Sequence, residues 1–472
     1  MSGCYTVGKA GFASIEVFLR MFRRSRFSRR SRLGARGPLP LGLQAANRRR
    51  RRRRPALPVI RLPVATPGLP SARWALVPAL LVLLVAAYVA AALFRGVPDA
   101  SVAATRRSEA FPGRPVALAW PARGEAAVGV EGVGLTGAHG SSRPTPFASV
   151  AKVMTAYLVL RDHPLRGGAS GPRITVRPSD VAVYRADKAG GQSVVEVQAG
   201  ERLTERQALE GLLLPSGNNI ATLLARWDAG SQAAFLAKMN AMARRLGLTQ
   251  THYADASGAR AGSVSNADDQ VHLAMLALKV PAFREIVAMP QANLPVAGRQ
   301  YNVDALLGKD GIVGVKTGST SQAGGCFVFA ARTRVAGRSI TVVGAVLHQV
   351  ATGAQPSILA HVFHAATSLL ASARHSFVRY RAVRRGATLA WVTTPWGDRV
   401  PLVASRSVSF LGWPHLPILT AVTPDRHLIA PLKPGQTIGT ALVSAGQQSA
   451  RLGLVVSRTV AGPSFGWRLT NF

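Results

Sequence analysis

Phe147-Ala-Ser149-Val-Ala-Lys152-Val-Met-Thr-Ala156 is the stretch on which the reading of this chain turns. Its apolar spacing predicts a helix over Ser149–Leu160. Serine and lysine at i and i+3 then share one face, one turn apart. That brings an amine within reach of a hydroxyl. A serine attacks only when a base removes its proton, and a lysine of lowered pKa can be that base. The start of a helix also offers a free backbone N–H and a positive dipole to a developing oxyanion. Of the eight lysines, Lys152 alone has serine three positions earlier.

Two further polar elements lie downstream. Ser216-Gly-Asn218 follows the apolar run Leu-Leu-Leu-Pro215 and is expected on a turn between helices. No other Ser-x-Asn occurs in the chain. Lys316-Thr317-Gly318-Ser319 ends a strand-like Ile-Val-Gly-Val run. A strand-borne lysine beside a threonine hydroxyl makes a carboxylate clamp, and the glycine clears the strand edge for a substrate backbone. The three serine or lysine leaders stand 67 and 100 residues apart. A surface helix, an ordinary turn and a strand end would explain each alone. Three singletons on the element types their roles require make coincidence a poor account.

With these residues in hand the chain resembles a known family. Ser-x-x-Lys, Ser-x-Asn and Lys-Thr-Gly, in this order, form the signature of penicillin-recognising serine enzymes. The flanks Leu-Leu-Leu-Pro-Ser-Gly-Asn-Asn and Gly-Val-Lys-Thr-Gly-Ser-Thr resemble low-molecular-mass penicillin-binding proteins, the D-alanyl-D-alanine carboxypeptidases of peptidase family S11. The resemblance implies a serine nucleophile at Ser149, a base at Lys152, and a proton shuttle through Ser216 and Asn218. It also implies a carboxylate clamp at Lys316 and Thr317, and an oxyanion hole from the N–H groups of Ser149 and Ser319. The implied substrate is a peptidoglycan stem peptide ending in D-Ala-D-Ala, with β-lactams as inhibitors and no cofactor or metal. A serine β-lactamase and a DD-endopeptidase are the neighbouring readings, and a non-catalytic peptidoglycan-binding protein is the one from another class. Ser265-Asn-Ala-Asp-Asp269 stands where the family usually has Ser-Thr-Ala-x-Asp.

The implied fold is α+β: the antiparallel sheet flanked by helices of the penicillin-binding, serine β-lactamase-like transpeptidase fold. The patterning agrees. A hairpin is expected from Val116–Trp120 and Ala126–Val130, and strands from Ile312–Lys316, Cys326–Arg332 and Ser339–Leu347. Helices are expected at Arg206–Asp228, Gln232–Leu246 and Pro356–Ala373. This assigns residues 114–375 to the catalytic domain. From 376 to 472 short runs between Gly and Pro predict a small all-β domain, with strands at Leu389–Val392, Ser407–Leu411, Leu428–Leu432, Thr437–Leu442 and Leu452–Val456.

Charge organises the remainder. The 472 residues carry a formal net charge of +37, which invites a nucleic-acid reading. Residues 1–73 hold +17 of it, including the run Arg48–Arg54, and no aromatic residue interleaves residues 36–73. Next comes Trp74–Phe94, 21 residues without a charge. As a helix this measures about 30 Å, the thickness of a bilayer core. Residues 74–94 are therefore expected to be a transmembrane signal anchor, longer than a cleaved signal peptide needs, although Ala90-Ala-Ala92 resembles a cleavage site. The positive-inside rule makes 1–73 a disordered cytoplasmic segment and puts the catalytic domain outside the cell membrane. The arginines then serve topology and contact with anionic lipid, not nucleic acid. Residues 95–113 read as a linker. Family members often anchor through a C-terminal amphipathic helix; an N-terminal anchor is expected here. Met21 is an alternative start. Gly462-Pro-Ser464-Phe-Gly466 matches a nucleophile elbow, but no acid or histidine follows it.

Overall fold

A computed structural model describes residues 72–140, 143–351 and 357–471. The chain divides into two units, Met1–Leu76 and Val77–Phe472. The arginine-rich segment lies outside the described residues. The helix Ala72–Phe94 contains Pro78 in its early turns, and from Leu76 onward its side chains are almost all exposed. Leu80, Leu81, Val82, Leu83 and Leu84 each show more than half their surface. A helix apolar on every face has no polar side to present to water.

The catalytic region is built on a five-stranded antiparallel sheet. Its order is Ile312–Thr320, Gly324–Val335, Arg338–Gln349, Glu125–Val130, Gly134–His139. Strands from both ends of the region thus meet at the centre. Along Gly324–Val335 the side chains alternate between two cores. Cys326, Val328 and Ala330 face the helices Lys152–Asp162, Glu205–Leu213, Asn218–Ala229 and Ala267–Ala277. Phe327, Phe329 and Ala331 face the helix Ile358–Arg374 and the C-terminal domain. A strand buried on both faces reads as a continuous apolar run, as this one does.

The C-terminal part holds a seven-stranded antiparallel sheet and the separate pair Val378–Val383 with Val408–Gly412. Residues 95–113, expected to be a linker, supply both edges of that sheet. Ser101–Val102 pairs with Thr388–Thr393, and Arg106–Ala110 pairs with Pro417–Pro424. Every residue of Arg106–Ala110 is exposed, so no alternation of apolar residues marks the strand in the sequence. Charged edge strands of this kind discourage pairing with another chain.

Other expectations need correction. Val116–Trp120 is not a strand; flanked by Pro115 and Pro121 it stays irregular, and the hairpin partner of Glu125–Val130 is Gly134–His139. Trp120 instead stacks on His139, its ring 3.2 Å from where a Cβ on Gly137 would stand. The helix expected over Arg206–Asp228 is two helices, broken at Leu214–Gly217. Leu428–Leu432 forms only a single bridge, Leu432 to Val460.

Candidate active site

Ser149 sits on a tightened entry to its helix. Ala148–Ala151 is a 3-10 turn that runs into the α-helix Lys152–Asp162. Ala148 adopts φ 49°, a left-handed conformation that costs a non-glycine residue free energy. Two glycines permit this geometry. A Cβ on Gly258 would lie 1.9 Å from the Ala148 carbonyl oxygen, and one on Gly318 would lie 2.8 Å from the Ser149 nitrogen. The Lys316–Ser319 strand edge therefore runs directly against the start of the Ser149 turn. Ser149 itself is half-buried and open to a ligand.

Lys152 is fully buried. Its Nζ lies 2.7 Å from Ser149 Oγ, and it donates to Asn218 Oδ1 at 2.6 Å and to the Ser257 carbonyl at 3.1 Å. A neutral amine has two N–H groups and one lone pair. Two acceptors take the two hydrogens, which leaves the lone pair for the serine hydroxyl. Burial holds the Lys152 amine well below the usual lysine range, and the charge of Lys316 adds to this; Asp255 and Asp187 oppose it. Loss of solvation is the larger cause.

The Ser216 turn is equally fixed. Ser216 has φ 68° and is buried. Gly217 N–H donates to Gly211 O at 3.0 Å, Asn218 N–H to Ser193 O at 2.8 Å, and Val303 N–H to Leu214 O at 3.2 Å. Asn218 Nδ2 donates to Gln192 Oε1 at 2.6 Å, which orients its amide so that the oxygen meets Lys152. Asn219 pairs with both the N–H and the carbonyl of Val195 and locks the 192–195 segment to the helix.

Lys316 and Thr317 are buried and Ser319 is exposed at the strand edge. Lys316 Nζ donates to the Thr317 carbonyl at 2.9 Å. Burial lowers its pKa to about 7, against the attraction of Asp304.

Ser149, Lys152 and Asn218 thus meet through side-chain contacts. Gly318 joins them through its close approach to the Ser149 nitrogen, and Ser216 as the turn before Asn218. Sequence reading missed four contributors: Ser257, whose carbonyl takes a Lys152 hydrogen, Gly258, Asp255 and Gln192. Asp255 accepts from Ser257 Oγ at 2.6 Å and from Ala259 N–H at 2.9 Å, and so folds the turn that aims the Ser257 carbonyl. Asp255-Ala-Ser-Gly258 carries a turn signal, but nothing in it announces a partner for Lys152 a hundred residues away. Cys326 is fully buried in the strand Gly324–Val335.

Residues 136–346 match the family model for D-alanyl-D-alanine carboxypeptidase, Peptidase S11. A D-alanyl-D-alanine carboxypeptidase of Streptomyces sp. strain K15 is 34% identical over 228 residues, which span 44% of this chain and 74% of that protein.

The chain belongs to the D-alanyl-D-alanine carboxypeptidase family.

Another carboxypeptidase of this family, from Mycobacterium tuberculosis, is 39% identical over 193 residues, spanning 39% of this chain and 62% of that protein's length. Penicillin binding protein 5 from Haemophilus influenzae shares the fold with a TM-score of 0.52 at 20% identity, covering 74% of this chain and 100% of that one. Members of the D-alanyl-D-alanine carboxypeptidase family are serine hydrolases, and the fold is the α+β arrangement expected from the sequence.

Proposed function

We propose that this protein is a serine-type DD-carboxypeptidase that removes the terminal D-Ala from peptidoglycan stem peptides and is acylated by penicillins. The observation that carries the reading is the buried Lys152 amine, 2.7 Å from Ser149 Oγ and held by Asn218 Oδ1 and the Ser257 carbonyl. Lys152 takes the Ser149 proton as Oγ attacks the carbonyl of the penultimate D-Ala. The N–H groups of Ser149 and Ser319 receive the oxyanion. The proton passes by way of Ser216 to the departing D-Ala amine, leaving an acyl-enzyme on Ser149. Water, activated by Lys152, then releases the shortened peptide. Lys316 and Thr317 hold the terminal carboxylate, and Gly318 lets the substrate backbone lie along the strand edge.

The helix over Leu76–Phe94 supports a membrane anchor. With the arginine-rich segment on the cytoplasmic side, the catalytic domain works outside the membrane against an anionic wall, which a basic enzyme approaches by attraction.

The test uses the full chain in detergent micelles. A D-Ala-D-Ala pentapeptide and a cross-linked dimer are supplied separately, and D-Ala release and dimer cleavage are followed. Release of D-Ala that Ser149→Ala abolishes is expected. Cleavage of the dimer alone would make the enzyme an endopeptidase. Fast repeated turnover of penicillin would make it a β-lactamase. No penicillin labelling of the wild type would make it a binding protein.

A further inference from the structure

The last two turns of the helix Ala72–Phe94 pack against the end of the chain. Tyr88, Ala92 and Arg95 follow one another at i, i+4 and i+7 and so share one face. Arg95 N–H donates to Ala91 O at 3.1 Å, which carries that face one residue past the helix. The short helix Phe465–Thr470 covers it. Tyr88 Oη donates to Leu469 O at 2.5 Å, and Arg468 Nη1 donates to Leu93 O at 3.0 Å. Ala92 is buried there, although Leu93 and Phe94 beside it are exposed. The short helix is held in turn by the β domain. Trp467 N–H donates to Ser464 Oγ at 3.2 Å, the Trp467 ring meets Trp396 edge to face at 5.7 Å, and Trp396 Nε1 donates to Ala461 O at 3.1 Å.

A cavity of about 230 Å³ lies between the two helices. Ala92, Arg95, Trp467, Arg468 and Asn471 line it, and among the described residues no acidic side chain does. Asp99, the acid nearest to Arg95 in sequence, is paired with His427 at 3.1 Å. The bond to Leu93 uses one of the five N–H donors of the Arg468 guanidinium, so the group keeps donors for a ligand. The volume is below the range of about 300–1,000 Å³ typical of sites for drug-sized molecules and suits a single phosphate group. Phe465, on the same short helix, is 58% exposed. A bilayer spanned by Leu76–Phe94 has its headgroups at the level of Arg95. Tryptophan and tyrosine collect at that level, and arginine there meets lipid phosphate.

We propose that this cavity is a binding site for the phosphate of an anionic phospholipid, held between Arg95 and Arg468. The inference rests on the membrane-anchor reading of Leu76–Phe94 given above. A phosphodiester offers one negative charge and two unsubstituted oxygens, and guanidinium groups match both in charge and in hydrogen-bond geometry. Two arginines with no acid beside them favour a lipid of net negative charge over a zwitterionic one, whose own cation they repel. The two arginines come from different elements. Arg95 follows the apolar helix, and Arg468 belongs to the short helix held by the β domain. A bound phosphate bridges them and seats the β domain on the membrane surface.

The experiment counts lipids retained by the full chain. Protein in detergent micelles is titrated with phosphatidylglycerol and phosphatidylcholine of equal chain length, and bound lipid is resolved by native mass spectrometry. Wild type is expected to prefer phosphatidylglycerol. Arg95→Gln and Arg468→Gln should each weaken its binding about fivefold, and the double variant about 25-fold. Arg468→Lys should keep most of the binding, and Arg173→Gln, on an exposed strand position of the catalytic region, should change nothing. Arg95→Gln leaves its backbone bond to Ala91 in place and carries the test if Arg468→Gln fails to fold. Equal retention of both lipids by wild type would overturn the proposal. So would a preference that survives in the double variant, or one that Arg173→Gln lowers equally, which marks attraction by total charge. Displacement of the lipid by soluble glycerol phosphate would overturn the membrane assignment and make the cavity a site for a free phosphate. Carbonate extraction from vesicles reports the anchor separately. A chain that stays with the vesicles but shows no lipid preference keeps its anchor and loses this site; a chain that is extracted loses both.

Discussion

The catalytic region and the C-terminal β domain handle burial in opposite ways. Between residues 114 and 375, Glu125, Lys152, Asp180, Glu205, Glu210, Asp269, Asp304 and Lys316 are all buried. Beyond residue 375 no charged side chain is buried among the described residues, and Thr394 is the one buried polar residue. The β domain is held by aliphatic packing around Leu402, Ala441, Val443 and Leu454. Burying a charge without full pairing destabilises a fold. A region that buries eight ionisable residues, with Asp180 paired to Arg226 but both carboxyl oxygens of Glu205 left without a partner, is arranged for chemistry as well as stability, and a region that buries none is free to be scaffold. Lys152 shows the link: burial penalises its ammonium form and favours the neutral amine that the proposed base requires.

This contrast can be tested from either side. The largest effect is expected inside the catalytic region. Ser149→Ala or Lys152→Ala should lower D-Ala release and penicillin acylation by about 1,000-fold or more, with the melting temperature of Ser149→Ala near that of wild type. In the β domain the pattern should invert. Leu454→Ala, at a fully buried position, should destabilise the protein by about 2–5 kcal/mol in denaturant titration and leave the acylation rate at 25 °C unchanged. A loss of rate there would mean that the β domain shapes the site.

Two glycines test whether the site depends on backbone approach. Gly258→Ala forces a side chain onto the Ala148 carbonyl in a residue at φ 80°, and Gly318→Ala presses on the Ser149 nitrogen. Displacing the nucleophile by a fraction of an ångström to an ångström should slow acylation about 100-fold, measured by stopped-flow labelling.

The smallest effect concerns a buried charge that the chemistry does not use. Glu205 is fully buried, neither carboxyl oxygen has a hydrogen-bond partner, and burial with the nearby Asp228 raises its pKa to about 7. A carboxyl whose pKa is raised on folding binds its proton more tightly in the native state. The native chain therefore holds more protons than the unfolded chain between about pH 4.5 and 7, and stability falls as pH rises through that window. Glu205→Gln should raise stability at pH 8 by about 2 kcal/mol, give no gain near pH 4.5, and leave acylation untouched. Unfolding titrations at the two pH values would check it. A gain that is the same at both would show that folding does not raise the Glu205 pKa.

The sequence by itself carried the residues of the proposed chemistry and the elements that support them. Ser149, Lys152, Ser216, Asn218 and the Lys316–Ser319 run were legible because each is a short local pattern on a predictable element. The central strands were legible because strands buried on both faces are unbroken apolar runs. The apolar Trp74–Phe94 segment needed only its length and lack of charge. Tertiary structure decided what depends on distant residues meeting. The Ser257 carbonyl, turned by Asp255, reaches Lys152 only when the 255–258 turn packs against the Ala148–Ala151 turn. The edge strand Arg106–Ala110 exists because a sheet hundreds of residues later leaves an open side for it. Local patterns follow from steric preference and periodicity, which a sequence carries. Long-range electrostatics and edge pairing arise only once the chain has closed on itself.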